Sequence, residues 1–78
     1  MNARATFSKA LRKIRIAKGF SQENLAFEAG LSMRSISLLE GNKQQPTITT
    51  IENLSKALGV TMVEFILEVD VQGKSLGS

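Results

Sequence analysis

The chain has 78 residues and a net charge of +3, enough for one small domain with a thin core. It contains no cysteine and no histidine. Disulfides and thiolate metal sites are therefore excluded, and the commonest general base and zinc ligand are missing. No apolar run is long enough to span a bilayer, and none has the form of a secretory signal. We expect a cytoplasmic protein that needs no cofactor and does not contact membranes.

The charges are distributed unevenly along the chain. The first twenty residues hold six cations and no acid, whereas the rest holds four cations and seven acids. The six cations are Arg4, Lys9, Arg12, Lys13, Arg15 and Lys18. A basic segment of this kind suits contact with phosphate groups, although an ordinary solvated face of a helix gives the same pattern.

Hydrophobic periodicity and capping residues predict an all-α chain of five helices. The first helix is expected to begin at residue 6 or 7 and to end near residue 18. Phe7, Leu11 and Ile14 lie at helical spacing and form its buried face. Residues 1–5 are expected to fray.

The stretch SQENLAFEAGLSMRSISLLEG, residues 21–41, predicts two short helices around a tight turn. Ser21 and Ser32 are suited to cap the two helices, and Gly30 can adopt the left-handed conformation that ends the first. Because few residues join the helices, they must cross steeply, and Ala26 is small enough for the crossing. This is the pattern of a helix-turn-helix, whose second helix enters the major groove of DNA.

The second helix of this motif has an inner and an outer face. Ile36 and Leu39 lie three residues apart and are expected to point inward. The outer face then presents four candidate base-reading side chains: Met33, Arg34, Ser37 and Leu38. Arg34 is the strongest candidate because its guanidinium matches O6 and N7 of guanine, the alternative being contact with phosphate alone. Leu38 can contact a thymine methyl group but cannot form a hydrogen bond with a base.

A polar loop from Gly41 to Pro46 follows, and Thr47 is suited to cap a fourth helix over residues 48–58. Four residues of that helix are expected to point inward: Ile48, Ile51, Leu54 and Leu58. Thr61 is suited to cap a fifth helix from Met62 to about Val69. The one stretch with any strand character is residues 68–72. Residues 1–72 are expected to form a single domain, followed by a disordered tail at residues 73–78.

The fifth helix carries apolar residues on more than one face, so a partner is expected to cover part of it. Phe65 is expected to face the core. Four residues are expected to contact a second copy of the chain around a two-fold axis: Val63, Ile66, Leu67 and Val69. Such a dimer places two recognition helices about 34 Å apart, one turn of DNA. A loosely exposed apolar patch is the alternative.

From Leu11 to Val60 the chain reads LRKIRIAKGFSQENLAFEAGLSMRSISLLEGNKQQPTITTIENLSKALGV, which resembles lambda-repressor-like (XRE) helix-turn-helix domains of phage repressors and restriction–modification controller proteins. The resemblance implies a five-helix domain that binds a two-fold symmetric operator as a dimer. It implies that Arg15 and Glu40 form an ion pair that ties the first helix to the third. Contacts with DNA phosphates are expected from six residues: Ser21, Gln22, Ser35, Asn42, Lys43 and Gln44.

Two functions are consistent with these observations. The first is a homodimeric transcriptional regulator that binds double-stranded DNA and is autoregulatory, since no small-molecule site is evident. The second is an antitoxin-like interaction module, because Ile16 and Phe27 stand where members of the resembled family are usually charged or polar. An enzyme is not expected, because there is no Gly-rich phosphate loop and no acid–base pair stands out.

Overall fold

The computed structural model describes the backbone of residues 3–77 and the side chains of residues 6–74. Its five helices confirm the predicted number and order, and the described residues contain no strand. The helices are α1 (Ala3–Ala17), α2 (Gln22–Ala29), α3 (Met33–Glu40), α4 (Ile48–Leu58) and α5 (Met62–Gly77). No helix in this part of the chain has the length and apolar character needed to cross a membrane.

The predicted start of α1 is wrong by three residues or more. The helix already includes residues 3–5, which were expected to fray; residues 1 and 2 lie outside the described residues. Ala3, Arg4 and Ala5 are all strong helix formers, and they lead into Thr6 without a glycine or proline that would interrupt the helix.

The predicted end of α5 is also wrong. The helix continues to Gly77, so no strand forms at residues 68–72, and the tail expected to be disordered from residue 73 is helical as far as the structure describes it. Two pairs spaced four residues apart support the extension: Gln72 Nε2 donates to Glu68 Oε2 at 2.9 Å, and Lys74 Nζ lies 3.2 Å from Asp70 Oδ2. Gly73 is buried, so it serves packing here and does not end the helix.

The core lies where α1 packs against α5 on one side and against the helix-turn-helix on the other. The rings of Phe7 in α1 and Phe65 in α5 stack at its centre, with centroids 5.4 Å apart and an interplanar angle of 16°, which confirms that Phe65 faces inward. The buried apolar residues are Phe7, Ala10, Leu11, Leu25, Ala26, Ala29, Ile36, Leu39, Leu54, Leu58 and Phe65. The core therefore draws on every helix, although the domain is small.

Ile48 was expected to point inward, and this prediction is wrong. Its side chain is 74% exposed. Ile51 is the first apolar residue of α4 that packs against the core, followed by Leu54 and Leu58, which are buried. The first turn of α4 therefore extends beyond the helices that cover the rest of it.

The predicted caps of α2, α3 and α4 are confirmed. The hydroxyl oxygens of Ser21, Ser32 and Thr47 accept hydrogen bonds from backbone N–H groups three residues later, at 3.0, 3.0 and 3.1 Å. Gly30 ends α2 with φ of +70°. Such caps satisfy backbone groups that have no partner inside a helix, which makes the ends of short helices well defined.

The start of α5 carries a reciprocal capping box. The Thr61 hydroxyl accepts from the Glu64 backbone N–H at 3.0 Å, and the Glu64 carboxylate accepts from the Thr61 backbone N–H at 2.8 Å. The bond from the Thr61 backbone, with a further contribution from the Thr61 side chain, holds the pKa of Glu64 below its ordinary value of 4.5. A carboxylate with a lowered pKa stabilises the fold above its unfolded pKa, and the contribution is lost as the pH falls through the folded pKa.

We expect Glu64→Gln to flatten the acid side of the stability profile. The variant keeps an acceptor for Thr61 but has no proton to gain, so its melting temperature should fall less than that of the wild type between pH 7 and pH 3. Thermal unfolding followed by circular dichroism measures this. Glu52→Gln, at an exposed carboxylate of α4, is the control, and equal acid profiles for the two variants would contradict the prediction.

Candidate nucleic-acid interface

The two faces of α3 differ as predicted. Ile36 and Leu39 are fully buried. On the opposite face Met33, Arg34 and Ser37 are exposed, whereas Leu38 is half-buried. Three of the four predicted base-reading side chains are therefore exposed, and Leu38 presents a smaller part of its surface.

The end of α3 is held against α1 by a bidentate ion pair. Arg15 Nε lies 2.6 Å from Glu40 Oε2, and Arg15 Nη2 lies 3.1 Å from Glu40 Oε1. Arg15 Nη1 also donates to the backbone oxygen of Phe20 at 2.9 Å. The two side chains of the pair are only 12% and 5% exposed. The expected ion pair is therefore confirmed, and it joins α1, the α1–α2 loop and α3.

A second contact between α1 and α3 was missed from the sequence. The Ser8 hydroxyl donates to the backbone oxygen of Leu39 at 2.8 Å, and the bond is buried. The Leu39 carbonyl group lies in the last turn of α3, where backbone oxygens have no N–H partner within the helix, and the Ser8 hydroxyl supplies a donor for it. Ser8 directly follows the core residue Phe7 in the chain, and nothing in the sequence indicates that its partner lies thirty-one residues later.

Gln22, the first residue of α2, turns its side chain toward the ion pair. Its Nε2 donates to Glu40 Oε1 at 3.1 Å, so Glu40 accepts from both Arg15 and Gln22. An amide nitrogen carries two hydrogens, and the second remains for a ligand. The predicted phosphate contact of Gln22 is thus compatible with the structure, with its amide already oriented by Glu40.

The two serines predicted to contact phosphate are engaged in caps. The Ser21 hydroxyl donates to Asn24 Oδ1 at 2.8 Å, while it accepts from the Asn24 backbone. The Ser35 hydroxyl accepts from the Ser32 hydroxyl at 2.9 Å. A phosphate requires a donor, so a DNA contact by Ser21 would have to replace its bond to Asn24. The Ser35 hydroxyl is only an acceptor in its bond with Ser32, so its own O–H can still donate to a phosphate.

The loop after α3 begins with an unusual backbone conformation. Asn42 has φ of +58°, and no other non-glycine residue in the described part of the chain has a positive φ. Its N–H donates to the Leu39 oxygen at 3.3 Å, and the next N–H, of Lys43, donates to the Leu38 oxygen at 2.8 Å. Gly41 occupies the cap with φ of −86°, so the left-handed residue is Asn42. Lys43 and Gln44 follow and are exposed.

A polar cavity of about 310 Å³ lies where α1, the start of α2 and α3 meet. Its lining contains both members of the ion pair and four further residues: Arg12, Gln22, Ser37 and Gly41. Ser37 is one of the predicted base-reading residues, so this cavity borders the outer face of α3.

The outer face of α5 is apolar near its start. Val63, Ile66 and Leu67 are exposed and, with Met62, line an apolar cavity of about 260 Å³. Val69 is half-buried and packs against the core, whereas Val71 is exposed. Val69 therefore does not share this face, although it was grouped with the other three from the sequence.

Besides Met33 and Ile48, two large apolar side chains outside α5 are exposed. Phe27 of α2 is 83% exposed, and Ile16 of α1 is exposed as well. Both positions were noted from the sequence as unusual. Within the described residues no cluster of acidic residues is arranged to hold a metal ion.

A profile of the helix-turn-helix family matches residues 11–65, from α1 into α5. The chain belongs to the helix-turn-helix family. The match covers all of the segment that resembles lambda-repressor-like (XRE) domains, and it confirms that resemblance. The candidate interface described above, with α3 at its centre, therefore includes the helix-turn-helix of this family.

Relatives in this helix-turn-helix family include transcriptional regulators and control proteins. The uncharacterised helix-turn-helix regulator y4dJ of Sinorhizobium fredii is 33% identical over 70 residues, covering 90% of this chain and 91% of that protein. The control protein C.BamHI of Bacillus amyloliquefaciens is 43% identical over 60 residues, covering 76% of this chain and 74% of that protein.

Solved structures with the same helix-turn-helix fold include restriction–modification controller proteins. The restriction–modification controller protein C.Esp1396I superposes with a TM-score of 0.87 at 32% identity, covering 92% of this chain and 95% of that one. The C.Esp1396I tetramer in complex with its natural 35 base-pair operator superposes with a TM-score of 0.86 at 32% identity, over 92% of this chain and 95% of that one.

We expect Arg15→Met to lower the free energy of unfolding by about 3 kcal/mol, because it leaves the Glu40 carboxylate buried without its cation. The double variant Arg15→Met/Glu40→Met should recover most of that loss, since it removes the buried charge as well. Urea unfolding measures both.

Lys13→Met is the control, because it breaks the more exposed contact of Lys13 with Glu68, at 3.1 Å. It should cost less than about 1 kcal/mol. If Arg15→Met left both stability and DNA affinity unchanged, the ion pair would have no part in orienting α3.

Proposed function

We propose that this protein is a sequence-specific transcriptional regulator that binds double-stranded DNA as a homodimer on a two-fold symmetric operator. One observation carries the proposal. The last turn of α3 is fixed by contacts from Ser8, Arg15 and Gln22, while the outer face of the same helix stands free. A helix that is rigidly oriented and exposed along one face is what insertion into the major groove requires.

Base reading is assigned to the outer face of α3, at Met33, Arg34 and Leu38, and Ser37 lies on the same face at the border of the polar cavity. Arg34 is exposed and forms no ion pair with any described residue, so its guanidinium is available for a bidentate contact with guanine. Met33 and the exposed part of Leu38 offer apolar surface. The operator is accordingly expected to include a guanine in each half-site.

Backbone contacts are assigned to residues on both sides of α3. Gln22 lies at the start of α2, and Asn42, Lys43 and Gln44 follow the end of α3. Ser21 is kept as a weaker candidate because its hydroxyl already donates to Asn24, and Ser35 is kept because its O–H can still donate. Phosphate contacts fix the position of a protein on DNA and make its affinity fall with salt, but they carry no sequence information.

Dimerisation is assigned to the exposed face of α5, at Val63, Ile66 and Leu67. Val71 extends this face by one turn, while Val69 is left out because it packs against the core. Contact around a two-fold axis would cover these residues in both copies. It would also place the two recognition helices about 34 Å apart, so that each enters one of two successive major grooves. The apolar character of the face supports this assignment.

The relatives favour an autoregulatory role. A restriction–modification controller protein of the same fold has been solved as a tetramer on its natural 35 base-pair operator. If dimerisation and DNA binding are coupled, operator occupancy rises steeply with protein concentration, which suits a protein that controls its own promoter. We place the protein in the cytoplasm, where such an operator is reached, and expect no small-molecule inducer and no enzymatic activity.

A protein partner is the second candidate function, and Phe27 favours it. An aromatic side chain that is 83% exposed is costly to leave in water and suits an apolar pocket on another protein. An antitoxin-like role would be supported by a stoichiometric partner that co-purifies with the wild type and is lost in Phe27→Ser.

Selection of bound DNA from a random pool is expected to yield a palindromic site with the wild type. Arg34→Ala should lose preference at one symmetric base-pair position, a discrimination of about 1–3 kcal/mol. Lys43→Ala is the matched control and should weaken binding by a similar factor on every sequence. A uniform loss with Arg34→Ala would instead make Arg34 a backbone contact, and the absence of any selected site would refute sequence-specific binding.

We expect Ile66→Glu to convert the protein from dimer to monomer at tens of micromolar, because it places a charge in the proposed apolar contact. Sedimentation velocity measures the change. Ile48→Glu makes the same substitution at an isoleucine that is exposed on α4 and should leave the dimer intact. A wild type that sediments as a monomer at these concentrations would contradict the assignment.

A further inference from the structure

The polar cavity beside α3 has an unbalanced charge. Arg15 and Glu40 in its lining neutralise each other, and both carboxylate oxygens are engaged, Oε2 with Arg15 and Oε1 with Arg15 and Gln22. Arg12 is the remaining charged residue of the lining. The cavity therefore carries one net positive charge, located on Arg12.

Arg12 differs from its neighbours in α1 because it has no protein partner. It forms no ion pair or hydrogen bond with any residue in the part of the chain that the structure describes, and it is exposed. Arg15, one turn later, is committed to Glu40, and Lys13 lies 3.1 Å from Glu68 on α5. The guanidinium of Arg12 is thus available at the edge of the cavity.

The other polar groups of the cavity are donors. Glu40 accepts one hydrogen of the Gln22 amide at 3.1 Å, which leaves the second for a ligand. The Ser37 hydroxyl is exposed and can donate as well. A guanidinium, an amide N–H and a hydroxyl suit an anion with several acceptor oxygens, and a phosphate group fits that description. The volume of about 310 Å³ is several times that of one water molecule.

We propose that Arg12 binds a backbone phosphate of DNA in this cavity, together with Gln22 and Ser37. The inference rests on the proposed function, since the cavity borders the outer face of α3 and a phosphate reaches it when α3 lies in the major groove. Arg12 was not among the phosphate contacts expected from the sequence. Ser37, expected to read a base, contacts the backbone in this arrangement.

Two charge-matched variants test the role of Arg12. Arg12→Gln and Lys13→Gln each remove one positive charge at adjacent positions of α1. Their long-range electrostatic effects on DNA affinity are therefore alike. Arg12→Gln should raise Kd about tenfold on the selected site and on unrelated DNA alike. It should also reduce the slope of log Kd against log salt by about 0.9 relative to the wild type. Lys13→Gln should leave the slope near the wild-type value.

A single neutralised phosphate locates the contact on the DNA. Methylphosphonate substitution at successive positions of the selected site should identify a phosphate whose neutralisation weakens wild-type binding about tenfold. With Arg12→Gln, neutralisation at that position should have little further effect, because the interaction is already lost. Equal losses in the two proteins at every position would overturn the proposal.

The remaining outcomes separate this inference from the proposed function. If the wild type binds no DNA, the proposed function fails as a whole. If it binds and Arg12→Gln behaves as Lys13→Gln does, only the role of Arg12 fails. Titration with inorganic phosphate, without DNA, should show no saturable binding. Saturable binding that Arg12→Gln abolishes would make the cavity a site for a free anion and overturn the assignment to DNA.

Discussion

The contact between Arg15 and Glu40 ties the end of α3 to α1. It is short and bidentate, nearly shielded from water, and joined by Gln22 and the backbone oxygen of Phe20. A buried ion pair of this kind contributes less to stability than its Coulomb energy suggests, because both ions lose their hydration. A planar guanidinium and a planar carboxylate meet well in few orientations, which is why we propose that the pair orients α3.

The apolar core supplies only part of the contacts that hold α3. The helix has eight residues, and only Ile36 and Leu39 among them are buried. Polar contacts at one end, from Ser8 and Arg15, add to this packing without covering the outer face. A small domain thus gains a rigid, exposed surface by placing its polar contacts at the end of the helix.

Much of the fold follows from local signals in the sequence. Ser21, Ser32 and Thr47 act within one helical turn, so the starts of α2, α3 and α4 were predictable. The end of α5 was not, because its continuation past Gly73 depends on side-chain pairs and packing that sequence spacing does not reveal. Within the site, the ion pair was expected from a family resemblance. The contacts of Ser8 and Gln22 and the isolation of Arg12 arise only when three helices meet.

The chain reversal after α3 limits which residues can follow that helix. α1, α2 and α4 end at glycines with positive φ, whereas α3 places Asn42 there, with φ of +58°. Few other residues tolerate this conformation. Aspartate is one, but it would bring a negative charge toward the proposed phosphates, and glycine would supply no side chain. Few substitutions at position 42 are therefore expected to be tolerated. The positive φ and the negative charge of the proposed phosphates together favour an amide side chain.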